Sequence, residues 1–238
     1  PLKRALLAWS FVDFDILLAS SERERENFAL SFPSKVERLM LGGGAHLDTI
    51  LSRADSAPSS TIYYLPTWRD TPSGRHALGQ TLTALLGHEQ LRQWLVEEGF
   101  ELRIGAHINS PELASADLQF KAPFVRRDMA TVIEDLTSAS IFISDYSGLL
   151  FDFLAMDRPF VYFPFDLDDY LKTRRLYVDY LEMAAGPVVT DTDALVNTLI
   201  TGSYRDPAWA ERRAQWREVC IPTTEPTYAA EGYRTICS

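Results

Sequence analysis

The chain has 238 residues, 46% of them apolar and 24% charged, a balance that lets it bury the core of one large domain or one and a half smaller ones. Its 23 Lys and Arg face 33 Asp and Glu, and a formal charge of −10 argues against nucleic acid as a partner of the chain as a whole. A small anion needs only a local cluster of donors. Cys220 and Cys237 have neither CxxC spacing nor neighbouring ligands, so they read as incidental thiols, not as a zinc site. No apolar run reaches the roughly 18 residues of a membrane span, and no leader pattern is present. These features make the expected location cytoplasmic, at most peripheral on a membrane.

Apolar runs bounded by turn formers alternate with helical patterns, the signature of βα units around a mainly parallel sheet. In chain order, a strand is expected over Phe14–Ala19 and a charged helix over Ser21–Leu30, with Ser20 or Ser21 as its N-cap. A second strand over Val36–Leu41 ends in Gly42-Gly43-Gly44. Residues Ser52–Ser60 (SRADSAPSS) form the one convincing linker. Beyond it come strand Thr61–Leu65, one long amphipathic helix over Leu78–Glu98, strand Glu101–Ala106 and helix Met129–Thr137. Strand Ile141–Ser144, helix Leu149–Met156 and strand Pro159–Phe163 follow, and helices Asp193–Ile200 and Pro207–Val219 end the series. The pattern predicts two Rossmann-like lobes, residues 1–55 being what remains of an N-terminal lobe and residues 56–238 a nearly complete second one.

Four places carry candidate chemistry. In Ser144-Asp145-Tyr146-Ser147-Gly148 a buried strand runs into a turn and then a helix, where free N–H groups make an anion site. Asp145, Ser147 and Gly148 belong to it, although Asp145 or Ser147 would equally serve as an N-cap. Asp166, Asp168 and Asp169 follow another strand and fit an acidic helix start or a ribose acceptor better than a divalent cation. His107, directly after a strand in a polar loop, is placed to donate to a diphosphate or to act as a general acid; a structural role is the alternative. Arg69, in Thr67-Trp68-Arg69-Asp70, suits bidentate phosphate binding or a surface pair with Asp70. His76 and His88 read as solvent-facing flanks of a helix, and His46 as a residue able to face a cleft between lobes.

Several of these segments occur together, and in order, in one family. The chain resembles the CDP-glycerol and CDP-ribitol glycerophosphotransferases, which prime and polymerise teichoic-acid-like and capsular poly(alditol phosphate). Tyr64-Leu65-Pro66-Thr67-Trp68-Arg69-Asp70 is similar to its Y-A-P-T-W-R-D, Ile143–Phe153 to its I-T/S-D-Y-S-S-x-x-F-D-F, and Arg158–Tyr170 to its K/R-P-x-x-F-Y-x-x-D-x-x-x-Y. Arg175–Asp179 resembles R-G-x-Y-x-D, with Leu176 in place of Gly. His107 is followed by Ile108 where the family has Pro, Gly148 stands for a second Ser, and Gly44–Asp48 replaces G-x-P-R-N-D.

The resemblance implies a GT-B-like α/β fold with a truncated N-terminal lobe and the donor in the second lobe. It also implies transfer of an alditol phosphate from a CDP-alditol to an anionic polymer or lipid-linked acceptor, with release of CMP. His107 is then the catalytic candidate, and Arg69, Asp145, Ser147, Gly148, Asp166 and Arg175 are the substrate-binding candidates. No tightly bound cofactor is expected, and a role for magnesium is left open. Pro1-Leu2-Lys3 resembles the end of W-H-G-T-P-L-K, so the family's base is expected before Pro1, and a basic patch from Lys3 and Arg4, joined by Arg126-Arg127 or Arg174-Arg175, is expected on the cleft or membrane side. A sugar transferase using a UDP- or GDP-sugar, and a non-catalytic nucleotide-binding module, are the competing readings.

Overall fold

A computed structural model describes residues 13–106, 120–174, 176–177 and 179–237. The larger sheet is parallel throughout, with strands β3 (Thr61–Leu65), β4 (Glu101–Ala106), β5 (Phe124–Asp128), β6 (Ile141–Ser144) and β7 (Phe160–Tyr162) in the order β5-β4-β3-β6-β7. A smaller parallel pair, β1 (Leu17–Ala19) and β2 (Leu39–Leu41), precedes it in the chain.

The central strand β3 is buried at all five positions because both faces of the sheet are covered. Tyr63 and Leu65 point into one apolar layer with Phe142, Phe153 and Tyr162. Ile62 and Tyr64 point into the other, where helices α3 (Pro72–Leu86) and α4 (Glu89–Glu97) contribute Leu78, Leu82, Leu85, Leu91 and Leu95. The later helices α8 (Thr192–Thr201), α9 (Pro207–Cys220) and α10 (Tyr228–Cys237) complete the cover. The α/β, mainly parallel, Rossmann-like architecture is the one expected.

Several boundaries differ from the sequence pattern, each for a physical reason. The single helix expected over Leu78–Glu98 is two helices, because Gly87 ends the first and His88 caps the second by accepting the Leu91 N–H at Nδ1. His88 is therefore no solvent-facing flank: its side chain is 20% exposed and its Nε2 lies 3.3 Å from Asp193. Strand β5 went unread because Phe-Val-Arg-Arg-Asp is too polar to look like a strand; on the sheet edge only Phe124 is fully buried. Arg127 of that strand turns to the buried Asp135, which also holds Arg103, so it contributes to an internal ion cluster instead of a basic patch.

Three glycine-rich residues shape the junction between the small sheet and the rest. Gly42 and Gly44 take φ of +120° and +86°, and a Cβ on Gly43 would lie 2.6 Å from the Leu18 carbonyl oxygen. The turn delivers helix α2 (His46–Leu51) onto the apolar layer beside Phe153, burying Leu47, Ile50 and Leu51. Asp48 then accepts the backbone N–H groups of Tyr228 and Ala229 at 2.9 Å each, capping α10 on the same side of the molecule.

Gly186 packs under β7 so tightly that an added Cβ would stand 2.0 Å from the Phe160 carbonyl oxygen. Gly186→Ala should therefore destabilise the chain by about 1–3 kcal/mol, the usual cost of overpacking, measured by urea unfolding.

Candidate functional site

The carboxyl ends of β3, β6 and β7 bring together three residues far apart in sequence. Arg69 follows β3, Asp145 follows β6 and Asp166 follows β7, and since β6 lies between the other two in the sheet, their loops converge. Arg69 Nη2 donates to Asp145 Oδ2 at 2.8 Å and to Asp166 Oδ1 at 2.8 Å, while Nε donates to Asp166 Oδ2 at 2.6 Å. Its remaining nitrogen, Nη1, donates to the Thr67 carbonyl. The guanidinium is roofed by aromatic rings, its carbon 4.7 Å from the Phe165 centroid and 5.1 Å from that of Tyr146. Tyr146 stacks on Tyr170 and donates its hydroxyl to Asp166 at 3.1 Å.

Asp145 is wholly buried and fully used. Its Oδ1 accepts the N–H groups of Thr67 and Tyr146 at 2.9 and 2.6 Å, and its backbone carbonyl accepts the Tyr180 hydroxyl at 2.7 Å. Burial by itself lowers the Arg69 pKa, but Asp145 and Asp166 reverse that and raise it well above the ordinary value. With one cation against two carboxylates, the cluster has no spare positive charge for a phosphate. Arg69 thus faces inward, and it pairs with neither solvent nor Asp70, whose carboxylate meets Arg174.

Ser147 and Gly148 are differently placed. Asp145 and Tyr146 are buried, Ser147 is half-buried and Gly148 is exposed, so the chain emerges at this turn. The Ser147 hydroxyl accepts the Leu149 N–H at 3.2 Å, a capping role. The N–H groups of Ser147 and Gly148 themselves have no partner among the described residues, and nothing lies within 4 Å of where a Gly148 Cβ would stand. Two successive N–H groups without partners, beside open space at Gly148, are donors of the kind that bind anions, here called the nest. The helix that follows, α6 (Leu149–Phe153), is only five residues long, so the nest owes more to local N–H groups than to a macrodipole.

Two cavities flank this region. One of about 500 Å³ lies between the β3 and β7 loops and is lined by Arg69 and Asp166 together with Trp68, Asp70, Tyr170 and Arg174. The other, of about 180 Å³, is bordered by Gly148, Asp152, His46, Ser20, Glu24 and Trp216. In it His46 Nε2 stands 3.2 Å from Asp152 Oδ1, a pair that no local sequence pattern signals. Cys220 lines the same cavity, but burial pushes its thiol up to about 12, so it is protonated and unreactive. His107 and Arg175, two of the sequence candidates, lie outside the described residues, as do Lys3 and Arg4. Among the described residues there is no group of three or more potential metal ligands, and Asp166 already binds Arg69 through both oxygens.

A parallel, doubly covered sheet whose loops converge at its carboxyl edge defines a Rossmann-like α/β protein of the GT-B-like kind. Residues 5–236 match the family described as CDP-Glycerol:Poly(glycerophosphate) glycerophosphotransferase, and the chain belongs to that family.

Among curated relatives, the teichoic acid glycerol-phosphate primase of Bacillus subtilis (strain 168) is 26% identical over 201 residues, covering 80% of this chain and 50% of that protein. The teichoic acid poly(ribitol-phosphate) polymerase of Bacillus spizizenii is 22% identical over 203 residues, covering 79% of this chain and 32% of that one. The chain thus spans half or less of the length of these two relatives. Among solved structures, a variant of the wall teichoic acid polymerase TagF soaked with CDPG superposes with a TM-score of 0.74 at 21% identity, over 100% of this chain and 64% of that one.

Two outcomes follow from the geometry. Arg69→Ala leaves two buried carboxylates unpaired and should cost about 3–5 kcal/mol of stability, read from urea unfolding. The Asp152 hydrogen bond outweighs burial and raises the His46 pKa above the ordinary 6.5. That pair's contribution is therefore full below the unfolded-state pKa and fades as pH rises through the folded one. An NMR titration of His46 should give a midpoint above 6.5, falling in Asp152→Asn.

Proposed function

We propose that this chain forms the donor-binding part of a CDP-alditol phosphotransferase that extends a teichoic-acid-like or capsular poly(alditol phosphate). The observation that carries the reading is the open N–H nest at Ser147 and Gly148, in a chain matched to this family over residues 5–236. In the reaction, an acceptor hydroxyl attacks the phosphorus that bears the alditol. The new P–O bond forms as the bond to the CMP oxygen breaks, and the hydroxyl proton is passed to a base. Such transfers rest on positioning and on neutralising charge at the phosphoryl oxygens.

Roles follow from where the residues sit. Ser147 and Gly148 hold diphosphate oxygens through backbone N–H groups. The family resemblance gives His107 and Arg175 the part of adding charge to the diphosphate. Arg69, Asp145 and Asp166 fix the strand ends that present these groups. The donor and the anionic acceptor are the partners, and a peripheral position on the inner face of the plasma membrane brings the enzyme to a lipid-linked acceptor. Among the described residues no helix is long and apolar enough to cross a membrane.

Calorimetry against CDP, UDP and GDP tests the reading. CDP should bind at least tenfold more tightly than the other two. Equal binding of all three would remove the cytidine assignment in favour of a sugar-nucleotide donor, and no binding of any would remove the donor site.

A further inference from the structure

The smaller cavity has features that the diphosphate reading does not use. Helix α2 brings in His46 and helix α6 brings in Asp152, so the pair joins the glycine-rich turn of the first sheet to the turn that carries the nest. The His46 side chain is 53% exposed and uses Nε2 on Asp152, which leaves Nδ1 without a partner among the described residues. Asp152 is more enclosed, at 20%, and among the described residues its second carboxylate oxygen takes no hydrogen bond. Glu24 and Arg23 also reach this cavity, but Glu24 accepts the Ser20 N–H and hydroxyl at 2.8 Å each, and Arg23 pairs with Glu26.

The chemistry offered here is that of a polyol site. An imidazole–carboxylate pair carries little net charge, which gives a phosphate no reason to enter beside two acidic side chains. A hydroxyl group, in contrast, both donates and accepts, and it can satisfy Asp152 and His46 Nδ1 together. Position agrees with chemistry. Gly148 borders this cavity as well as belonging to the nest, so a diphosphate on the Ser147 and Gly148 N–H groups would direct its terminal ester substituent towards His46. At about 180 Å³, the cavity has room for a short polyol.

We propose that this cavity is the alditol subsite of the donor, with His46 and Asp152 hydrogen-bonding the alditol hydroxyls. The proposal rests on the CDP-alditol reading above and assigns His46 and Asp152 the part of the donor that CDP lacks.

CDP-glycerol and CDP differ only by the glyceryl group, so the ratio of their affinities isolates this subsite. Calorimetry of the 238-residue chain should show CDP-glycerol bound more tightly than CDP. His46→Ala and Asp152→Asn should each cut CDP-glycerol affinity about tenfold or more, the loss of one charge-assisted hydrogen bond, while CDP affinity stays put. His46→Asn, which keeps a hydrogen-bonding group near the Nδ1 position, should recover part of the loss. Both side chains reach solvent, so melting temperatures should move little, and they serve as the check on folding. Equal weakening of CDP and CDP-glycerol would overturn the proposal in favour of a phosphate contact. Unchanged affinities, or equal affinity of the unaltered chain for both ligands, would overturn it outright. Failure of the unaltered chain to bind either ligand would instead sink the CDP-alditol reading itself.

Discussion

The structure depends on one buried guanidinium. Arg69 ties the ends of three parallel strands together through Asp145, Asp166 and the Thr67 carbonyl, at 3% exposure. Charges so buried are costly unless each finds a partner with good geometry. Here every nitrogen of the fork is engaged and the aromatic rings of Phe165, Tyr146 and Tyr170 exclude water. The return is specificity of position: only one arrangement of the three loops satisfies all of these groups at once. The N–H nest one residue beyond Tyr146 inherits that rigidity without itself being buried.

That division of labour changes how the motifs are understood. Residues that look alike in a linear reading divide into a buried, mutually bonded scaffold and a thin exposed layer. Asp145 belongs to the first group and Gly148 to the second, although they are three residues apart. Burial separates them: 0% for Asp145 against an open face at Gly148.

Much of the fold was legible because its buried strands are apolar runs. Thr61–Leu65, Glu101–Ala106 and Ile141–Ser144 stand in the sheet at the bounds their patterns predict. Strand β5 was not, since an edge strand buries one face at most and tolerates Arg126 and Arg127. Helix α10 was missed because its short apolar face, Tyr228 and Gly232, packs on a surface that only the tertiary fold creates. At the site, Arg69, Asp145 and Asp166 were each picked out, but as separate ligand contacts. Their mutual bonds span 76 and 97 residues, and only the strand order reveals that these loops meet. The His46–Asp152 pair had no local signal at all.

The cap that Asp48 places on α10 has a consequence in time. The backbone groups it binds, those of Tyr228 and Ala229, lie 180 and 181 residues further along the chain. At a synthesis rate of roughly 5–20 residues per second, the ribosome needs about 10–40 s to make that stretch. For that interval the β1–β2 ribbon and the glycine turn after it exist without the helix that packs against them. That ribbon is thus finished only after the 180 residues that follow Asp48 have been made.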